Sequence, residues 1–179
     1  MTEAASVYGE ALYALAKDEN KSDTMLGQLK VLDECFAAEP DFLRLLSAPN
    51  LSKIERKEIL NTCFQDKTEP YLLNFLKILM EKGYIRQFSS CVQVFREHYN
   101  EDHGIMPVSV VTAVPMSDRQ KEKLAAKLAG ITRKQIELTN TIDPACIGGV
   151  RLDYDGKRVD DTIIHRLDAV SSMLKNTIL

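Results

Sequence analysis

Few residues of this chain could do chemistry, and their spacing completes no common catalytic or cofactor motif. Gly156 and Lys157 match the end of a phosphate-binding loop, Gly-x4-Gly-Lys-Ser/Thr, in which backbone N–H groups hold phosphates and a hydroxyl holds Mg²⁺. The position five before Gly156 is Arg151, however, and Arg158 follows Lys157. Both the first glycine and the metal-binding hydroxyl are missing, so the sequence predicts no nucleotide site of this kind.

The histidines also lack the partners that catalysis or metal binding requires. His98 and His103 lie among acidic residues but are five positions apart, whereas paired ligands on one helix face are four apart. His165 has Arg166 and Asp168 nearby, but no nucleophile motif such as Gly-x-Ser-x-Gly accompanies it. We therefore expect no catalytic residue, no metal and no cofactor, with His98 and His103 at a solvated helix end.

Composition restricts the remaining functions. The chain has 179 residues, 45% hydrophobic and 27% charged, which is typical of one folded domain or two small ones. Its net charge of −3 argues against nucleic-acid binding, which usually needs an excess of Lys and Arg. No secretory signal pattern begins the chain, and its most apolar stretch, Tyr71 to Met80, is shorter than the ~20 residues of a membrane span. We expect an intracellular protein that reaches a membrane only through a partner.

Helical periodicity dominates the first hundred residues. One predicted helix face carries hydrophobic residues at i, i+4, i+7 and i+11: Met25, Leu29, Leu32 and Phe36. A capping box formed by Ser52 and Glu55 and a proline at position 70 mark the starts of two further helices. The pattern predicts a bundle of about six short helices over residues 1–104.

The segment from Tyr71 to Met80 is apolar on nearly every side of its helix. Two interpretations are open. An apolar face beyond what a small bundle needs is typical of a groove that receives a partner helix. The same pattern is also typical of a helix at the centre of the bundle, which is covered on all sides.

The hydrophobic period changes from 3.6 to 2 at Pro107. We predict strands over 107–115, 135–142 and 147–154, with a helix from Ser117 to about Gly130 between the first two. A hairpin-type turn at Asp155 and Gly156 follows the third strand. A final helix carries one apolar stripe: Ile163, Leu167, Val170 and Leu174. The prediction is an α+β protein, in which a six-helix bundle precedes a small mixed α/β C-terminal domain, β-α-β-β-α, over residues 105–179.

A glycine-containing block in the second half is the most specific motif of the sequence. Paired glycines that enter a strand indicate close backbone approach or a bulge, and Asp-Pro before them indicates a turn. The block and the residues that follow it comprise Ile142, Asp143, Pro144, Ile147, Gly148, Gly149, Val150, Asp155, Gly156 and Asp160. Together with the six-helix first half and the opening Tyr8-Gly9-Glu10-Ala11-Leu12, this block closely resembles the delta subunit of the F-type ATP synthase, the oligomycin-sensitivity-conferring protein family.

This resemblance implies a non-catalytic stator protein in two parts. In that family the N-terminal helical domain docks on the α3β3 head and receives the N-terminal helix of an α subunit between its first and fifth helices. The C-terminal domain grips the ends of the paired b subunits. The link keeps the head from turning with the rotor, so that proton flow drives ATP synthesis. The implied location is the cytoplasmic face of the cell membrane, reached through the complex.

The residues expected to bind the α-subunit helix lie on the first and fifth predicted helices: Tyr8, Ala11, Leu12, Leu76, Ile78 and Leu79. A small Ala allows a partner helix to approach closely, and Tyr supplies rigid contact area. Two alternatives come from other classes of protein. One is a stand-alone helical adaptor, which would not co-purify with ATP synthase subunits, and the other is a small enzyme built around His98 and His103, which would contain metal.

Overall fold

The computed structural model describes residues 2–48, 51–65 and 67–167. The chain divides into two compact units, Met1–Tyr99 and Asn100–Leu179. The boundary predicted from the sequence lay between residues 104 and 105, where the last helix of the first half was expected to end. The fold combines helices with a sheet, as the predicted α+β class requires.

The first unit is helical. Its elements are α1 (Glu3–Asp18), α2 (Ser22–Ala38), α3 (Pro40–Leu46), α4 (Lys53–Phe64), α5 (Pro70–Glu81), a 3-10 turn (Ile85–Gln87) and α6 (Phe88–Asp102). The helix starts follow local sequence signals. Both bonds of the predicted capping box are present, because Ser52 Oγ accepts from the Glu55 N–H and a Glu55 carboxylate oxygen accepts from the Ser52 N–H. Prolines occupy the first turns of α3 and α5, where a missing N–H costs no helical bond.

The core of the first unit is continuous and rich in aromatic and aliphatic side chains. The predicted face of α2 is fully buried, and the ring of Phe36 lies 5.0 Å from that of Phe88 and 5.8 Å from that of Phe42. Most of α5 is buried as well: Leu72, Leu73, Phe75, Leu76, Leu79 and Met80. The segment is therefore a core helix over most of its surface, while Ile78 stays exposed on one side.

Over its described residues, the second unit is a four-stranded sheet with a helix packed against it. Its elements are β1 (Ile105–Thr112), α7 (Asp118–Thr132), β2 (Gln135–Ile142), a 3-10 turn (Pro144–Cys146), β3 (Val150–Tyr154) and β4 (Lys157–Asp160). The strand order is β2-β1-β3-β4, with β1 parallel to β2 and the other pairs antiparallel. Leu124 and Leu128 of α7 pack against the buried side chains Met106, Val108 and Val110 of β1.

Three predictions about the second unit are corrected. The first strand runs from Ile105 to Thr112 and not over 107–115. Pro107 lies within it at a position that β3 does not reach, so the missing N–H breaks no bond to β3. The third strand begins at Val150, because Ile147 and Gly149 have positive φ angles of 63° and 83° that end an extended backbone. A fourth strand, β4, pairs with β3 to form a hairpin, of which the sequence predicted only the turn.

The last predicted helix falls partly outside the described residues. Residues 163–167 are helical, whereas Val170 and Leu174 are not among the residues that the structure describes. Over the described ranges, no helix has both the length and the apolar composition that crossing a bilayer demands.

Candidate partner-binding surfaces

Helices α1 and α5 run in opposite directions, and residues at both of their ends are in contact. At one end, Lys21, which follows α1, forms an ion pair with Glu69, which precedes α5. The distance from Lys21 Nζ to Glu69 Oε2 is 2.7 Å. Beside this pair a hydrogen bond with the Glu19 carboxylate raises the pKa of the Tyr71 phenol. At the other end, the rings of Tyr8 and Tyr84 are 5.9 Å apart. These contacts place the start of α1 near the end of α5.

Apolar side chains remain exposed on this pair of helices. Val7, Ala11 and Leu15 recur every four residues along α1, and the exposed fractions of Val7 and Leu15 are 59% and 37%. Ile78 of α5 is 45% exposed, and Tyr84 follows it beyond the helix. We name these residues the α1–α5 face: Val7, Tyr8, Ala11, Leu15, Ile78 and Tyr84. Such spacing is that of one helix stripe, so the face is apolar along the length of α1.

Three of the six predicted partner-binding residues belong to this face, and three do not. Tyr8 is half-buried, while Ala11 and Ile78 are exposed. Leu12, Leu76 and Leu79 instead lie in the core of the unit. A helix turns 100° per residue, so neighbours such as Ala11 and Leu12 cannot share a face. The packing of α1 and α5 in the unit turns the leucines inward. The sequence prediction did not include Val7, Leu15 and Tyr84, although the four-residue spacing of Val7, Ala11 and Leu15 was available as a signal.

Gly9 fixes which side of α1 faces the core. A Cβ atom at this position would lie 2.7 Å from Val94 Cβ and 2.8 Å from the carbonyl oxygen of Cys91, both on α6. Such distances are below van der Waals contact, so the backbones of α1 and α6 approach closely only because residue 9 has no side chain. The stripe of Val7, Ala11 and Leu15 is consequently held on the opposite side.

In the second unit, the paired glycines allow the backbone before β3 to contact the chain that follows β4. A Cβ on Gly149 would lie 2.3 Å from the carbonyl oxygen of Asp161, and φ at Gly149 is +83°. The Ile163 N–H donates to the Gly148 carbonyl oxygen at 3.0 Å, and the Asp161 N–H donates to that of Val150 at 3.0 Å. Of the two alternatives that the paired glycines left open, close backbone approach or a bulge, the structure shows the close approach at Gly149.

Asp160 completes this closure. Its Oδ1 accepts from the Thr162 N–H at 3.0 Å and from the Thr162 hydroxyl at 2.7 Å, and these bonds hold the pKa of the Asp160 carboxyl below its ordinary value. Thr162 Oγ1 in turn accepts from the His165 N–H at 3.3 Å, as an N-cap does at the start of residues 163–167. We give the name glycine clasp to two stretches that contact each other, Gly148 to Gly149 and Asp160 to Ile163.

The remaining motif residues shape turns. Asp143 Oδ1 accepts from the Ala145 N–H at 3.0 Å, with Pro144 in the first position of the 3-10 turn. Asp155 and Gly156 have φ angles of 48° and 68° and join β3 to β4 as a two-residue hairpin turn, which explains the residues that looked like part of a phosphate loop.

Apolar side chains are exposed in the second unit too. Ile142 and Ile147 flank the 3-10 turn, and Ile147 is 63% exposed. Four more lie on β4 or within residues 163–167: Val159, Ile163, Ile164 and Leu167. We name these four the C-terminal apolar patch.

The histidine region has a packing role. The ring of His98 is half-buried and stacks on that of Tyr13 at 5.9 Å, so its placement at a solvated helix end was wrong, whereas His103 is exposed. Among the described residues, no group of three or more His, Cys, Asp or Glu side chains is arranged to hold a metal ion.

Comparison with known proteins gives one consistent result. The family model for the ATP synthase delta (OSCP) subunit matches residues 4–174. ATP synthase subunit delta of Alkaliphilus oremlandii is 31% identical over 96% of both chains, and that of Clostridioides difficile is 29% identical over 97% of both.

The fold has a counterpart among solved structures. A chain in the cryo-EM structure of the Toxoplasma gondii mitochondrial ATP synthase hexamer superposes with a TM-score of 0.77 at 19% identity, covering 97% of this chain and 98% of that one. With a helical unit, a sheet unit closed by its glycine clasp and a family match over nearly its whole length, the chain belongs to the ATP synthase delta (OSCP) subunit family, whose members are non-catalytic subunits of that complex.

Proposed function

We propose that this chain links the head of an F-type ATP synthase to its b subunits as part of the stator, at the cytoplasmic face of the cell membrane. Its helical unit, for which the sequence predicts a six-helix bundle, binds the N-terminal helix of an α subunit. Its second unit binds the b subunits. The observation that carries the proposal is the exposed α1–α5 face on a unit whose core is otherwise well buried.

The α1–α5 face has the properties of a surface that accepts an amphipathic helix. Its apolar residues follow the long axis of α1, as the apolar stripe of a docked helix would. Ala11 lies between Val7 and Leu15 and leaves room for a second backbone, while Tyr8 and Tyr84 supply rigid side chains with little conformational entropy to lose. Ile78 extends the contact onto α5.

The C-terminal apolar patch supports the proposed role of the second unit. Val159, Ile163, Ile164 and Leu167 expose hydrophobic surface next to the glycine clasp, which holds the backbone of residues 160–163 in place. Helical ends of a stalk could bury that surface, and burial of apolar area is the main driving force of such association. Attachment to the membrane then comes from the b subunits.

A charge placed on the α1–α5 face tests the first contact. We expect Ala11→Asp to weaken binding of a peptide with the sequence of the α-subunit N-terminus by ~1–3 kcal/mol, because the complex would bury an unpaired carboxylate. Isothermal titration calorimetry measures this change.

Ala126→Asp is the matched control, since Ala126 is also an exposed alanine inside a helix but lies on α7 of the second unit. We expect it to bind the peptide like the unmodified chain. Equal affinity of Ala11→Asp and the unmodified chain, with both folded by circular dichroism, would contradict the assignment of the α1–α5 face.

A further inference from the structure

A cleft in the helical unit holds two arginines. It encloses about 360 Å³ where the end of α3, the start of α4 and the turn after α5 meet. Its lining includes Leu46, Ser47, Arg56, Met80, Ile85 and Arg86. This cleft, the Arg56–Arg86 cleft, contains none of the residues assigned to the α1–α5 face, and nothing in the proposed stator role uses it.

Within the described residues, most of the guanidinium donors in this cleft have no protein acceptor. Each guanidinium has five N–H donors. Arg56 Nη1 donates to the Leu46 carbonyl oxygen at 3.3 Å, and Arg86 Nε donates to Ser47 Oγ at 3.3 Å. Arg56 Nε is buried and has no acceptor within the described part of the chain. A buried donor without a partner costs roughly 1–3 kcal/mol, so an arrangement of this kind needs an explanation.

Three carboxylates on the helices that form the cleft have other partners. Glu81, at the end of α5, pairs with Lys57, and the Glu55 carboxylate accepts from the N-cap of α4. Asp41 pairs with Arg44 on α3. Among the ion pairs formed by residues 2–48, 51–65 and 67–167, none includes Arg56 or Arg86. Two positive charges therefore share one concave site without a neutralising partner from these residues.

We infer that the Arg56–Arg86 cleft binds a small oxyanion, a phosphate or a carboxylate group. The planar guanidinium fork matches the oxygen pairs of both groups and binds them through two parallel hydrogen bonds. Ser47 Oγ is held beside Arg86 and adds a polar atom, while Leu46, Met80 and Ile85 reduce the access of water and strengthen the attraction.

Arginine side-chain NMR tests this site directly. The ¹⁵N-labelled full chain is titrated with inorganic phosphate in one arm and acetate in the other, each against chloride at equal ionic strength. We expect saturable shifts of the Arg56 and Arg86 Nε–H signals, and the arm with the lower dissociation constant identifies the preferred group. The Arg44 Nε–H serves as the internal control, because this exposed side chain already pairs with Asp41.

Arginine variants distinguish a specific oxyanion site from general electrostatic attraction. Arg86→Gln and Arg56→Gln should each weaken binding at least tenfold, while Arg44→Gln should leave it unchanged. Arg86 is exposed, so its replacement keeps the test valid if Arg56→Gln disturbs the fold. The inference is overturned if neither anion gives a saturable shift in the unmodified chain, if Arg44 shifts equally, or if Arg86→Gln binds with unchanged affinity.

Discussion

The two units hold their folds in different ways. The helical unit has a continuous core in which whole helix faces are buried, and α5 is covered on most of its surface. The described core of the sheet unit consists of Met106, Val108 and Val110 with half-buried side chains around them. The sheet unit depends instead on backbone closure at the glycine clasp, where two chain segments approach more closely than any residue with a Cβ permits.

This difference indicates how each unit can present a binding surface. A rigid core fixes the α1–α5 face through the packing of Gly9 and the buried leucines beneath it. The C-terminal apolar patch depends on backbone hydrogen bonds between residues 148–150 and 161–163 and on the bonds from Thr162 to Asp160. Fewer buried apolar contacts mean lower local stability, so we expect the second unit to open first.

Separating the units is the strongest test of the comparison. A fragment of residues 1–104 should remain folded and keep the affinity for the α-subunit peptide, because its helices bury one another. It should lose binding to the b subunits completely. Circular dichroism and pull-down with the soluble part of b measure these outcomes, and unfolding of the fragment, or retained affinity for b, would show that the units share a core or an interface.

A single methyl group on the glycine clasp should unfold one unit and spare the other. Gly149→Ala places Cβ 2.3 Å from the Asp161 carbonyl oxygen, and we expect the sheet unit to lose ~4 kcal/mol or more. Gly156→Ala is the matched control, since φ at Gly156 is +68° and its Cβ would meet no atom within 4 Å. Denaturant unfolding should show a loss of only about 1–2 kcal/mol for the control.

Equal losses for the two glycine variants would contradict this account. Left-handed backbone strain alone, rather than the close approach to Asp161, would then explain the need for glycine.

Two apolar residues of α5 distinguish core from surface within the first unit. Leu76→Ala should destabilise the unit by about 3 kcal/mol, because Leu76 is fully buried and the substitution leaves a cavity. Ile78→Ala should cost less than about 1 kcal/mol of stability, since Ile78 is half-exposed, but should weaken binding of the α-subunit peptide. Chemical denaturation and calorimetry measure the two effects, and a stability loss for Ile78→Ala as large as that for Leu76→Ala would place Ile78 in the core.

Acid should affect the glycine clasp through Asp160. Hydrogen bonds from Thr162 depress the pKa of Asp160 below its ordinary value of 3.8, so the charged form stabilises the folded unit above that value. This stabilisation is lost as the pH falls below 3.8 through the lower pKa of the folded state. We expect Asp160→Asn to be less stable at neutral pH and to lose this part of the acid dependence, as followed by thermal unfolding between pH 2 and pH 7. An unchanged acid dependence would exclude Asp160 as its source.

Local signals in the sequence determined much of this protein. Hydrophobic spacing and helix caps located the helices of the first unit, because α-helical bonds and caps join residues only a few positions apart. The alternation of Ile136 and Leu138 with polar neighbours located β2 for the same reason. The glycine pair indicated a close approach, although the sequence did not name the partner segment.

Tertiary structure decided which surfaces are free. Leu12, Leu76 and Leu79 satisfy the same helical pattern as Tyr8 and Ile78, and only the packing of α1 against α6 and of α5 within the core separates buried from exposed positions. The short strand β4 has too few residues for a periodic signal and is defined by its pairing with β3. Burial depends on which elements meet, and contacts between residues distant in sequence leave no local pattern from which they could be read.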